Sequence, residues 1–265
     1  MLKFERKFER QYSANGTIIE RMLPRFFVPA LDPARGEAVL PDEEGRHLTR
    51  VLRLSVGDQI AVFDGAGHEF RAIVAYADRA GVRVVLENAL QPPPEPLVRL
   101  TLAQAVIKGD KMDEVVRDAT MLGVAALQPI VTTRTTVTLQ ALPQDRILQR
   151  WRRVTIASAK QCRRARLPEI NAALDFREWL DLNEPAVRLL LLEPGAGGAL
   201  PVRALQERER PAEAALVIGP EGGWTAEERD AALAQGCIPI TLGPLTLRAD
   251  AVALAAISAL NVVWS

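Results

Sequence analysis

Apolar positions along the first third of the chain come in short runs with turns between them. Residues 26–28, 59–63, 69–76 and 82–87 read as strands. Gly57-Asp58 and Asp64-Gly65-Ala66-Gly67 supply the turns. A helical stretch over residues 43–52 interrupts them, with Leu48, Val51 and Leu52 on one side and His47, Arg50 and Arg53 near the other. A small β-barrel carrying one helix is the expected assembly.

The rhythm changes at Gln91-Pro92-Pro93-Pro94-Glu95-Pro96. Successive prolines favour extended polyproline II, so this reads as a stiff linker. Beyond it, continuous apolar runs at 98–107, 127–131, 189–192, 215–218 and 238–242 alternate with helical patterns at 111–122, 146–161, 225–235 and 250–263. Such alternation predicts a parallel sheet covered on both faces. Thr225 is a natural N-cap, with Glu228 as its capping-box partner. The expected organisation is a loose extension over 1–21, a small β domain over 22–91, a linker over 92–97 and an α/β domain over 98–265. Met22 reads as the start of the folded part.

Composition narrows the class. In 265 residues, 48% are hydrophobic and 25% charged, which excludes disordered and fibrous chains. No apolar run approaches bilayer-spanning length. Two cysteines, Cys162 and Cys237, build neither a disulfide framework nor a metal cluster, so a reducing, cytoplasmic setting is expected. With only His47 and His68 besides, a metal site is not expected. The first ten residues are charged throughout and lack the apolar centre of a signal peptide.

Charge is balanced overall but not locally. Between Asp145 and Ile170 there are eight basic residues against two acidic ones. A helix face that only meets water accounts for such a run; so does a phosphate-binding surface that gains affinity by releasing counterions.

Ile218-Gly219-Pro220-Glu221-Gly222-Gly223 and Leu242-Gly243-Pro244 each follow an apolar run and precede a helical pattern. Glycine lets a ligand lie against bare backbone, and open α/β sheets bind ligands at these strand ends. The first loop has neither the Gly-Lys-Ser/Thr ending of a P-loop nor dinucleotide-type glycine spacing. No Gly-x-Ser-x-Gly elbow offers a nucleophilic serine. A mostly uncharged, backbone-lined cleft that suits an adenosine-type ligand remains.

These residues, in order, resemble the 16S ribosomal RNA uridine-N3 methyltransferases, SPOUT-class enzymes with an N-terminal PUA-like domain. The resemblance spans 22–263. It rests on Met22-Leu-Pro-Arg25-Phe-Phe-Val28, on His47-Leu-Thr-Arg50-Val-Leu-Arg53 with Val56-Gly57-Asp58 and Phe63-Asp64-Gly65, and on Leu122-Gly123-Val124 with Pro129. Ala159-Lys160-Gln161-Cys162-Arg163-Arg164 with Leu167-Pro168-Glu169-Ile170 follows, and Ile218 to Gly223 is the most specific element.

The resemblance implies an α/β protein with a SPOUT-type parallel sheet threaded into a deep trefoil knot, an N-terminal PUA-like small β-barrel, and a homodimer. It implies S-adenosyl-L-methionine as cofactor, lined by Leu191, Leu192, Gly219, Pro220, Glu221, Gly222, Leu242, Gly243, Leu247 and Arg248. Arg25, His47, Arg50, Arg53, Arg134, Gln161, Arg163 and Arg164 would hold 16S ribosomal RNA of the small subunit. A uridine N3 must lose a proton before it attacks; Asp250 is the candidate base and Arg248 the candidate stabiliser of charge on the uracil oxygens.

The family pattern carries an arginine and an isoleucine ahead of Leu-Arg-Thr-Glu-Thr-Ala. This chain has Leu245-Thr246-Leu247-Arg248-Ala249-Asp250-Ala251-Val252, and Met121 where a glutamate is common. Two alternatives therefore stay open: a knotted RNA methyltransferase with another target nucleotide, and a non-catalytic RNA-binding or ribosome-assembly paralogue. Arg248 as a simple cap or pair, His47 as a structural histidine, and Cys237, Trp151 and Trp224 as packing residues are the competing local readings.

Overall fold

The computed structural model describes residues 23–78, 80–182 and 185–265. The expected loose extension over 1–21, and Met22 as the start of the fold, lie outside them. Two compact units emerge, one reaching to Asp64 and resuming at Glu69–Leu90, the other formed by Gly65–His68 and Gln91–Ser265.

The first unit holds β1 (Arg25–Phe27), β2 (Glu37–Val39), α1 (Asp42–Arg46), β3 (Gln59–Phe63), β4 (Glu69–Asp78) and β5 (Gly81–Leu90). They form one sheet in the order β1-β3-β4-β5-β2, with β1 parallel to β3 and the other pairs antiparallel. Irregularities at Phe70/Ala72 and Val74/Tyr76 bend β4 against β5, as bulges do. Phe26, Leu48, Ile60, Val62, Val74 and Val84 fill its core.

The single helix expected over 43–52 is two pieces. α1 ends at Arg46 and a π-helical turn runs His47–Val51. Gly45 sits against Val82, where a Cβ would come within 3.3 Å of the valine methyl. Leu48 is buried, Glu44 accepts from the Phe27 amide at 3.4 Å, and Arg53 at φ 55° ends the segment. Glu44 and Leu48, four residues apart, lie on one side of the segment and are both buried.

The second unit contains β6 (Arg99–Ala105), α2 (Lys111–Met121), β7 (Ala126–Val131), α3 (Gln144–Cys162), β8 (Glu169–Ile170), β9 (Leu174–Asp175) and α4 (Phe176–Asp181). β10 (Arg188–Leu191), β11 (Leu200–Pro201), β12 (Glu213–Ile218), α5 (Ala226–Ala234), β13 (Ile238–Thr241) and α6 (Ala249–Val263) complete it. The sheet is parallel throughout, ordered β11-β13-β10-β12-β6-β7-β8, with β9 also on β7.

Alternate residues of each strand face opposite layers. Leu100, Leu102, Leu189 and Leu216 meet α2 and α6, whereas Ala103, Ala105, Leu190, Ala215 and Val217 meet Phe176, Trp179 and Ala232. Both faces are covered, which is why these strands read as unbroken apolar runs.

The proline run is fastened to the second unit. Arg164 Nε reaches both Glu95 oxygens at 3.0 and 2.9 Å, and Nη1 donates to the carbonyls of Val124 at 2.8 Å and Thr120 at 3.3 Å. Gly123, at φ +85°, lies under the Pro96 ring, where a Cβ would approach Cγ to 2.4 Å.

Candidate functional site

The carboxyl ends of β10, β12 and β13 open into a cleft of about 340 Å³. Here the strand order turns back on itself: after β10 the chain runs out to β11 at the edge, crosses to β12 on the other side of β10, and returns to β13. Strand ends at such a reversal leave a crevice between diverging loops.

Leu191, Leu192, Gly219, Pro220, Glu221, Leu242, Gly243, Leu247 and Arg248 all line the cleft. Gly222 does not: its carbonyl accepts from Arg134 Nη1 at 2.7 Å and its Cα faces that side chain. Four further residues matter that sequence reasoning did not single out as lining: Lys111, Glu193, Leu245 and Thr246.

Trp224 both packs and walls the cleft. Its ring lies 4.7 Å from that of Phe176, and its Nε1 donates to the Leu191 carbonyl at 3.0 Å. A Cβ on Gly219 would meet the indole at 3.0 Å, so a larger residue there would push the indole off this side of the cleft.

The loop after β12 is braced from two directions. Glu228, 4% exposed, accepts from the Thr133 amide at 2.7 Å with one oxygen and from the Thr225 amide at 3.0 Å with the other. The Thr225 hydroxyl accepts in turn from the Glu228 amide at 3.1 Å. Hydrogen bonds from its own amide first, then from the Thr225 hydroxyl, hold the Glu227 carboxyl below the usual carboxylate range, with Arg134 adding to this.

Arg248 and Asp250 stand at the start of α6. Arg248 is the N-cap, without a side-chain cap bond of its own. Its Nε lies 3.2 Å from Asp250 Oδ1 and its Nη2 3.2 Å from Oδ2. The arginine is 78% exposed and the aspartate 19%. Asp250 complements the positive end of the α6 dipole.

The expected RNA-contact residues divide. His47, edge-on to Phe26 at 6.2 Å, is half-buried, and Arg50 and Arg53 are exposed. Arg134, Gln161 and Arg163 are exposed on the second unit. Two expectations are corrected. Arg25 is interior: its guanidinium grips Glu69 at 2.8 and 3.0 Å and lies 4.6 Å from the centre of the Phe63 ring. Arg164 is interior too, with its guanidinium committed to Glu95 and to backbone carbonyls. Neither side chain presents a surface charge to a phosphate. Within the basic run, Arg150 is tied to Asp110 and Asp113 of the second unit, and its pKa is raised by those hydrogen bonds.

No helix among the described residues is long and apolar enough to cross a membrane. An RNA methyltransferase domain family matches residues 93–261, and an RNA methyltransferase PUA domain family matches residues 40–87. A Synechocystis protein named ribosomal RNA small subunit methyltransferase E is 37% identical, over 81% of this chain and 70% of its own length. Its Mycobacterium bovis namesake is 32% identical over 91% and 92%. The crystal structure of a ribosomal RNA small subunit methyltransferase E from Neisseria gonorrhoeae bound to S-adenosyl methionine is 30% identical, with a TM-score of 0.81 over 91% of this chain and 98% of that one. On sequence and on fold alike, this chain belongs to the RNA methyltransferases, within the ribosomal RNA small subunit methyltransferase E family.

Proposed function

We propose that this chain methylates N3 of one uridine in 16S ribosomal RNA of the small subunit, using S-adenosylmethionine, as a cytoplasmic homodimer. The observation that carries the reading is the glycine-floored cleft with the Arg248–Asp250 pair at its rim, in a chain of this family. The cleft fits the cofactor: bare backbone at Gly219 and Gly243 and apolar walls of Leu191, Leu192, Leu242 and Leu247 suit an adenosine, without demanding a phosphate.

The cofactor supplies an electrophilic methyl: as the N3–carbon bond forms, the sulfur–carbon bond breaks and leaves a neutral thioether. The chain's own part is alignment and proton handling. Asp250 takes the N3 proton, and a carboxylate has lone pairs enough to do so while Arg248 stays bound. Arg248 then donates toward the negative charge on the uracil oxygens. Because N3 lies on the pairing edge, the base must be unpaired or extruded to reach the cleft.

In this reading residues 22–91 form a PUA-like RNA-binding domain, 92–97 a linker and 98–265 the methyltransferase domain. The strand order, with β13 inserted between β10 and β11 after β12 has formed on the far side of β10, supports the trefoil-knot reading. Leu254 and Val262, large apolar residues exposed on α6, support a self-association face. His47, Arg50, Arg53, Arg134, Gln161 and Arg163 hold RNA.

The test is incubation of the purified protein with S-adenosylmethionine and unmodified small subunits, followed by nucleoside mass spectrometry. N3-methyluridine at one 16S site is expected. Asp250→Asn lowers kcat by about a hundredfold or more, the usual contribution of a positioned base, and leaves cofactor affinity unchanged. A different methylated nucleoside, or a fully active Asp250→Asn, overturns the assignment.

A further inference from the structure

Four ionisable side chains line the cleft: Lys111, Glu193, Glu221 and Arg248. Three have an opposite charge beside them. Lys111 Nζ stands 3.9 Å from Glu221 Oε1, and Arg248 is held by both oxygens of Asp250. Glu193 alone of the four has no ion pair or side-chain hydrogen bond among the described residues.

Its position is set by backbone. Glu193 lies two residues beyond the end of β10, behind the Leu192 amide that bonds to the Ile240 carbonyl at 2.9 Å, and its own carbonyl accepts from the Ala196 amide at 3.2 Å. Its carboxylate lies across Gly223, where a side chain would meet Oε1 at 2.5 Å. That places a lone negative charge between the loops after β10 and β12, among Leu192, Pro194 and Leu242. In a cleft whose other charges are already balanced, it is an exposed carboxylate that a bound cation can reach, and a ligand that excludes water strengthens the attraction.

We propose that Glu193 is the specificity residue by which the cleft distinguishes the sulfonium methyl donor from its neutral thioether product. The inference rests on the cofactor assignment above. The attraction is present when the charged donor is bound, fades as sulfur loses its charge in the transition state, and is absent for the product. An interaction of that kind tightens donor binding without accelerating the chemical step. It also lets fresh donor displace spent product, which otherwise shares every contact with the adenosine and the amino-acid tail.

Glu193→Gln preserves length and removes the charge. Isothermal titration of the full-length wild type and variant, each with S-adenosylmethionine and with S-adenosylhomocysteine, reads the effect directly. The expected result is a dissociation constant for S-adenosylmethionine raised about tenfold, between the values of an exposed pair and a desolvated charged hydrogen bond. S-adenosylhomocysteine affinity and the melting temperature of the free variant stay unchanged, and KM for the donor rises in step with its dissociation constant.

Equal weakening of both ligands overturns the proposal, because the carboxylate then holds a group they share, such as the ammonium. No change in either overturns it as well. A wild type that binds neither ligand overturns the cofactor assignment itself, so the two failures are separable.

Discussion

Arg163 and Arg164 adjoin in sequence and part company in the structure. Arg163 closes α3 in the left-handed conformation at φ 69°, with its side chain exposed. Arg164 turns inward to Glu95 and the carbonyls of Thr120 and Val124. Their substitutions separate accordingly. Arg164→Ala strands buried acceptors and costs about 3 kcal/mol in urea unfolding. Arg163→Ala leaves the unfolding midpoint in place and weakens RNA binding in a filter assay, with a shallower dependence on salt. A run of arginines announces charge in the sequence; which member is satisfied internally depends on a glutamate 69 residues away. The cysteines divide in the same way. Burial pushes the Cys237 thiol pKa up, whereas Cys162 is half-buried. Iodoacetamide at pH 8 therefore modifies Cys162 in the native protein and reaches Cys237 only on unfolding, as peptide mass mapping will show.

Among the elements, those with enough length to show a period, or with a cap, are legible in the sequence. The Thr225–Glu228 capping box is present in full at the start of α5. What the motif does not disclose is that Glu228 also accepts from Thr133, tying the β7–α3 connection to the cleft loop. Glu228→Gln loses one acceptor for two amides, so it destabilises the fold by about 1–2 kcal/mol in chemical denaturation. β8, β9 and β11 have two residues each and α4 has six, too few to establish a rhythm. α4 still carries a signal readable in the sequence, the capping box of Asp175 and Glu178. The π-turn at His47 is of another kind. Its residues read as an ordinary helix, and nothing in their local pattern marks the widened turn.

For the whole molecule, the testable quantity is self-association. α6 contributes its buried side to the core and leaves Leu254 and Val262 exposed at 42% and 70%. If that face joins two copies, Leu254→Asp with Val262→Asp converts a dimer into a monomer in sedimentation velocity. The melting temperature then becomes independent of protein concentration. An unchanged mass for the double variant places the interface elsewhere. The sequence by itself determined the parallel α/β class and the glycine loops, because each depends on neighbours a few residues apart and on burial of whole strands. Tertiary structure alone decided the strand order, the exclusion of Gly222 from the cleft, the interior fate of Arg25 and Arg164 and the isolation of Glu193. Those outcomes depend on contacts between residues far apart in the chain, and charge pairing across such distances leaves no local pattern to read.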